Sequence, residues 1–584
     1  MIAAVTSPIA ELAARFRQAI LKVYGPEHAE LDPLVRRSDR ADFQANVAMS
    51  LGKLVKKPPR EVAQELVSGL DAADVCEKIE IAGPGFINLT LQNRYLDTLL
   101  AKTLTDPRLG VSSVASADTV VVDYGGPNVA KEMHVGHLRP CVIGDCLVRV
   151  LDFLGHRVIR QNHIGDWGTP FGMLIEHLLD LGGAENAAQL SVGELNAFYK
   201  AARQKFDGDT AFAERSRQRV VSLQAGDAKT LELWRILVDA SKAHFEKVFA
   251  RLGVTMTPAD TRGESFYNSF LPEIAEDLVQ RGIAVVEQGA LCVFPEGFKN
   301  RDGNPLPLML RKSDGGFGYD ATDLAALRFR ARELKGTRLL YTTDSRQAQH
   351  FAMVFAVARL AGYVDPKVRT EHAGFGSILG ADRKPLTSRD GDSLRLIELL
   401  DEGRERAAAA IAERNAELPE AAKLELASAI SLGAIKYMDL SSDRIKDYVF
   451  DWDRMLAAEG NTGPYLQYAL VRIRSIFRKL AGQGGSMPAA DSIRIQHDRE
   501  RALALSLTGF EGAVQAVAGS LEPHKLCGFL FELAGAFSAF WVDCPVLTAG
   551  DAQIRASRLA LSQLTGHVLE RGLWLLGIEA PERM

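Results

Sequence analysis

The sequence predicts an α/β multidomain protein: a parallel-sheet domain carrying a helical insertion, preceded by a small α+β unit and followed by an all-α helical bundle. Three observations support this. First, the β-branched run Val120–Val122 passes through a tight turn into helical spacing at Leu138, Val142, Cys146, Val150 and Leu154, and a second strand pattern, Arg157–Asn162, follows a Gly155-His156 stop. Strand, helix and strand in that order make the right-handed crossover unit of a Rossmann-type parallel sheet. Second, residues 175–310 turn helical with long polar faces before strand patterning returns at 338–343 and 368–372. Third, nearly all periodicity after residue 393 is helical, as in a bundle. The expected division is 1–115, then 116–392 with the insertion at about 175–310, then 393–584.

In the first unit, helical patterns at 8–24 and 60–71 precede Lys78–Leu91, whose apolar–polar alternation on both sides of Gly83-Pro84-Gly85 predicts a strand pair. Asp42-Phe43-Gln44-Ala45-Asn46 sets an aromatic between amides. Read alone it is a core aromatic beside a polar turn, although stacking with amide hydrogen bonding is also how an unpaired base is read. A Ser/Ala-rich loop, 112–117, leads into the opening strand of the sheet. Pro140 sits in the first turn of the following helix, where no intrahelical N–H is needed. His163-Ile-Gly-Asp-Trp-Gly168 lies just past the second strand, at the carboxyl edge where such sheets bind ligands. The insertion ends in a β-like piece at 283–294. Strand 338–343 is backed by a helix at 348–361, and strand 368–372 feeds a glycine-rich loop, 374–392. The bundle comprises helical segments 394–416, 421–440, 462–480, 498–519, 522–541 and 553–576.

Composition excludes several classes. The 584 residues have the balance of an ordinary globular protein. A net charge of −5 argues against wholesale coating of nucleic acid but leaves local basic patches available. The six cysteines form no C-x-x-C pair and no zinc array, so reduced core residues and no structural metal are expected. No run of 18 apolar residues exists, and Glu11, Arg15 and Arg17 interrupt the N-terminal stretch, unlike a signal peptide. The expectation is a cytoplasmic protein with no membrane partner.

Chemistry concentrates in the turn Asp123–His137. Unpaired N–H groups and the dipole at a helix N-terminus favour a phosphate, and His134 and His137 add side-chain donors around Gly136. His-Val-Gly-His resembles the HIGH signature of class I aminoacyl-tRNA synthetases, whose histidines interact with ATP. Longer strings narrow the resemblance. Residues 123–139, 163–169, 451–456, 459–469 and the ending 575–584 look like the arginyl-tRNA synthetases of bacterial type, along the whole chain.

That resemblance implies two steps: arginine attacks the α-phosphate of ATP, with Mg²⁺ present, and the arginyl-adenylate is passed to the 2′-hydroxyl of the terminal adenosine of tRNA(Arg). Such enzymes generally need bound tRNA for the first step. By the same resemblance His134, Gly136 and His137 meet ATP. The family's second signature, a Lys-Met-Ser-Lys-Ser-like loop, corresponds to Gly380–Arg389, where Lys384 stands for the first lysine and Thr387 for the second. The resemblance offers Lys131 as the proposed substitute for that missing lysine, with Arg383 and Arg389 as lesser helpers. Tyr319 and Asp323, four apart and so on one helix face, match the contacts to the arginine side chain; a buried guanidinium calls for an ionised carboxylate. Asp123 and Asn128 match contacts near the α-amino end, and Gln347 a further polar contact. A charged pocket of this kind also makes editing unnecessary. Tyr468, Arg472, Trp541 and Met584 fall where the family meets the anticodon loop, with Arg474, Arg478 and Lys479 extending the basic run. Phe43, Gln44 and Asn46 fall where it reads a D-loop base. The partners implied are tRNA(Arg), L-arginine and ATP, with a monomeric enzyme expected. The rival readings are another class I synthetase, such as a cysteinyl or glutamyl enzyme, and a non-catalytic tRNA-binding paralogue, kept open by Thr387.

Overall fold

A computed structural model describes residues 5–168, 170–183, 195–387, 393–414 and 418–584. The N-terminal unit is an antiparallel sheet of β1 (Val35–Arg37), β2 (Phe43–Ala45), β3 (Cys76–Ala82) and β4 (Phe86–Leu91) in the order β1-β2-β4-β3, with helices Pro8–Tyr24, Val47–Val55, Pro59–Gly69 and Asn93–Thr105 around it. The predicted strand pair is β3–β4. The segment around Phe43 also forms a strand, which puts that ring in the core at 1% exposure.

The central sheet is parallel throughout: β5 (Thr119–Asp123), β6 (Arg157–Gln161), β10 (Arg338–Tyr341) and β11 (Arg369–His372), in the order β11-β10-β5-β6. Between β6 and β10 in sequence lies the small antiparallel sheet β7 (Val285–Glu287), β8 (Ala290–Val293) and β9 (Leu308–Arg311). β5 is central, and Val120, Val121 and Val122 are all buried because neighbouring strands pair on both edges and helices cover both faces. Helix Leu138–Phe153 is buried on nearly every side, not along one stripe, because bundle helices Glu420–Ser441, Phe510–Ser520 and Ala552–Leu575 pack against it.

The insertion contributes helices Pro170–Asp180, Leu195–Gly208, Thr210–Gln224 and Ala228–Leu252. The last ends at Gly253, whose carbonyl accepts from Lys436 Nζ (3.4 Å) in the bundle and Arg149 Nη2 (3.3 Å) in helix Leu138–Phe153, so its C-terminus is anchored to both. Beyond residue 392, Tyr448–Val449 (β13) pairs in parallel with Ile378–Leu379 (β12), joining the glycine-rich loop to the chain that follows. The segment predicted as one helix at 498–519 is two, Asp498–Leu507 and Phe510–Ser520, broken at Thr508-Gly509. By length and composition Asp498–Ser520 and His524–Asp543 are apolar enough to cross a membrane; here they pack on one another within the bundle.

Candidate active site

The site is built at the carboxyl ends of β5 and β10. Asp123 closes β5 and forms an ion pair with Arg330, its Oδ2 lying 2.8 Å from Nη1. Arg330, in the last turn of helix Tyr319–Arg332, is fully buried with its guanidinium 4.9 Å from the centre of the Tyr341 ring. Burial opposes that charge, and Asp123 outweighs it, keeping Arg330 ionised. Asp123, expected at the amino acid's α-amino end, is therefore already engaged by an internal cation. The turn after it is tied to the loop after β6: Val129 N–H donates to Gly165 O (3.0 Å) and Gly165 N–H to Pro127 O (3.2 Å). Asn128 lies over Gly165, where a Cβ would come within 2.2 Å of Asn128 Oδ1, so a side chain there would push the amide out of its present position.

The two signature histidines interlock. His134 Nδ1 accepts from Gly136 N–H and His137 Nδ1 accepts from His134 N–H, both at 3.1 Å, with ring centroids 4.1 Å apart. Because each Nδ1 is an acceptor, the partners assign each proton to Nε2. Burial lowers His134, helped by Lys131, and holds His137 down to about 3, helped by His134. At neutral pH the pair offers two uncharged Nε2–H donors. Gly136 leaves room for this: a Cβ there would lie 2.8 Å from His134 Cε1. The turn is pinned to the start of the next region by Val135 N–H to Leu394 O (2.8 Å) and Leu396 N–H to Met133 O (2.9 Å).

Lys131 is exposed, with its ammonium 4.6 Å from the centre of the Tyr199 ring of the insertion. Lys384 sits on a tight turn closed by Gly380 N–H to Lys384 O (2.8 Å), and its side chain and Thr387 are exposed. Arg389 and Thr169 lie outside the described residues.

At the other end of the site the expected Tyr319 and Asp323 do share a face, and His350 fills the space between them. Its Nε2 is 2.6 Å from Asp323 Oδ2, its Nδ1 is 3.2 Å from Asp320 Oδ1, and the Tyr319 ring stands edge-on at 5.2 Å. Burial works against the imidazolium, but hydrogen bonds to Asp320 and Asp323 outweigh it and raise His350 to about 9. Burial would likewise push Asp323 up, yet His350, with His163 and Arg330, holds it below the ordinary carboxylate value. His163 Nε2 lies 3.9 Å from Asp323 Oδ1, its ring stacked on the buried Tyr267 at 5.4 Å. Glu264 completes the acidic face: burial, then the charges of Asp323 and Asp166, push it up to about 8. Gln347 is exposed at the N-cap of helix Ala348–Leu360, one turn before His350.

Sequence reasoning missed Glu264, His350 and Arg330 as members of this site. His350 carries a local hint, three residues after Gln347. Glu264 and Arg330 carry none, since only the fold brings them to Asp323 and Asp123.

Farther away, Phe43 presents no free ring face, while Gln44 Nε2 donates to Asn88 Oδ1 (2.7 Å) and Asn46 is half-buried. Tyr468 is 43% exposed with the Arg472 guanidinium 4.8 Å from its ring centre. Trp541 is partly buried and stacks on Phe537 at 6.5 Å. Met584 packs on the cluster of Ala407, Ile411, Leu426 and Ala427. Arg474 and Arg478, expected to extend the basic run, instead donate to tail carbonyls: Arg474 to Ala580 O and Pro581 O, Arg478 to Glu582 O. Their guanidiniums fasten the C-terminus.

Comparison with known proteins matches three family models in succession: the arginyl tRNA synthetase N-terminal domain over residues 10–91, the class I (R) tRNA synthetase catalytic domain over 99–452 and the DALR anticodon binding domain over 466–584. An arginine–tRNA ligase of Thermobifida fusca is 51% identical, covering 99% of this chain and 100% of its own length. One from Escherichia coli is 46% identical, covering 98% and 99%. Among solved structures, the arginyl-tRNA synthetase of Plasmodium falciparum is similar with a TM-score of 0.85 at 28% identity, covering 99% of this chain and 100% of that one. That of Thermus thermophilus gives 0.81 at 26% identity, covering 98% and 99%.

Proposed function

The chain belongs to the arginyl-tRNA synthetases, and from that membership we propose how its residues divide the reaction. It is an arginine–tRNA ligase, using ATP to aminoacylate tRNA(Arg). Our residue assignment rests on one observation above the others: a half-buried acidic face, Asp323 with Glu264, opens on the same sheet edge as the two neutral histidine donors.

In this reading the guanidinium of arginine meets the Asp323 carboxylate, flanked by Glu264 and Tyr319, with Gln347 at the rim and Asn128 and Asp123 toward the α-amino end. The substrate carboxylate, held against MgATP, attacks the α-phosphorus; the bond to the bridging oxygen of the β-phosphate breaks and pyrophosphate leaves. His134 and His137 Nε2–H groups, Lys131 and Lys384 follow the phosphate oxygens as charge shifts onto them. Catalysis is then positioning and charge stabilisation, with no enzyme nucleophile. The 2′-hydroxyl of the terminal adenosine next attacks the adenylate carbonyl and releases AMP.

Residues 1–115 would bear on the D-loop through Gln44 and Asn46, with Phe43 as their support, and 393–584 on the anticodon loop through Tyr468, Arg472, Trp541 and Met584. The enzyme acts in the cytoplasm as a monomer, and activation needs bound tRNA. Two contacts support that need: His350 already occupies Asp323, and Lys131 rests on Tyr199. The test is charging of total tRNA with each amino acid in turn, then arginine-dependent pyrophosphate exchange with and without tRNA(Arg). Arginine alone should be charged, and exchange should appear only with tRNA. Charging by another amino acid, or by none, overturns the assignment; equal exchange in both conditions overturns the tRNA requirement.

A further inference from the structure

Helix Ala228–Leu252 touches the signature turn at two backbone atoms. Ala130 N–H donates to Ser241 Oγ at 2.9 Å, and Met133 N–H donates to His244 Nε2 at 3.3 Å. Ser241 and His244 are three residues apart, hence on one helix face, and both are buried. The two peptides they hold bracket Lys131 and lead directly into His134.

Two further features show that these contacts constrain the turn and do not merely fill space. Ala130 has φ +62°, a left-handed conformation that is costly for a residue with a Cβ and persists only where surroundings impose it. His244 gives up hydrogen bonding to serve the turn. Since Nε2 accepts, its proton is on Nδ1, and that buried group has no hydrogen-bond partner among the described residues. An unpaired buried donor carries a desolvation cost that an apolar residue would avoid; what the imidazole supplies is an acceptor for Met133. Burial, then Lys247, holds His244 down to about 4, so the ring stays an acceptor at neutral pH. Ser241 donates to Leu237 O (2.8 Å), leaving an oxygen lone pair for Ala130.

We propose that Ser241 and His244 are positioning residues for the reaction: from the insertion helix they enforce the strained 130–133 turn that presents Lys131 and His134 to the ATP phosphates. The inference rests on the roles given to Lys131 and His134 above.

Full-length wild type, His244→Leu, His244→Gln, Ser241→Ala and the pair Ala130→Gly/His244→Leu are compared in aminoacylation with tRNA(Arg), alongside their melting temperatures. His244→Leu should lower kcat about 10- to 100-fold, as a small displacement of catalytic groups does, with the arginine KM unchanged. His244→Gln, whose side-chain oxygen can accept from Met133, should recover most of that loss. Adding Ala130→Gly to His244→Leu should recover part, since glycine adopts the turn without enforcement. Wild-type kcat in His244→Leu, or a glutamine variant no better than leucine, overturns the proposal. So does a loss confined to the arginine KM. If His244→Leu fails to fold, Ser241→Ala decides: a kcat loss at unchanged arginine KM supports the device, and none overturns it. A wild type that charges no arginine would instead refute the functional reading on which this rests.

Discussion

The two ends of the active site are prepared in opposite ways. Around Asp323 every charge is already answered from within: His350 bridges Asp320 and Asp323, His163 stands nearby, and Glu264 keeps its proton. Around His137 the donors are uncharged, with no Nε2 partner among the described residues, and the cations Lys131 and Lys384 lie exposed on turns. A buried carboxylate cannot wait for its substrate unpaired, because the desolvation cost is too high, whereas a neutral imidazole or a solvated lysine can. Under the proposed assignment, arginine has to displace or share an internal partner, while ATP meets groups that only need aiming.

The largest effect should come from Asp323→Asn, which leaves a guanidinium without its charge partner. We expect kcat/KM for arginine to fall about 10³-fold while the ATP KM moves little; equal damage to both substrates would erase the distinction between the two ends. His137→Ala tests the other end, with kcat down roughly 10²-fold and the arginine KM unchanged, as for loss of one oriented donor.

The third prediction concerns protons. Glu264 is protonated in the free protein below about pH 8, and a guanidinium favours its ionised form, so binding below that pH must expel a proton. Arginine affinity should therefore rise about fivefold from pH 7 to pH 8 and about twofold more before it levels above pH 9. Calorimetry in buffers of different ionisation enthalpy should show proton release below pH 8 that Glu264→Gln abolishes. An affinity flat across that range would remove Glu264 from the pocket. The smallest effect is expected from Tyr199→Leu. Losing an exposed cation–π contact frees Lys131 by about 0.5–1 kcal/mol, a two- to fivefold gain in pyrophosphate exchange; a loss would mean that Tyr199 aims the lysine.

Much of this architecture was legible in the chain. The β5 run, the β3–β4 alternation and the bundle helices are local patterns, and each appears within a few residues of its expected bounds. The exceptions are short strands. β2 is too short to alternate visibly, and β12 and β13 are two-residue strands that exist only because they pair with each other across a long separation. At the site, His134 and His137 stand in one short string, and Tyr319 and Asp323 are one helical turn apart. Their partners are not local. Arg330 reaches Asp123, and Arg474 and Arg478 fasten the C-terminal tail, through contacts between distant segments that no spacing announces.

The sequence by itself determined the fold class, the family and the histidine turn, and it singled out Asp323 as the acid proposed for a guanidinium, because each is written in residues close together or in long matching strings. Only the tertiary structure decided which charges are already paired, which proton each histidine keeps, that Glu264 faces Asp323, and that a distant helix holds the turn beside Lys131. Charge, desolvation and hydrogen bonding depend on distance in space, and the chain brings those groups together only when it folds.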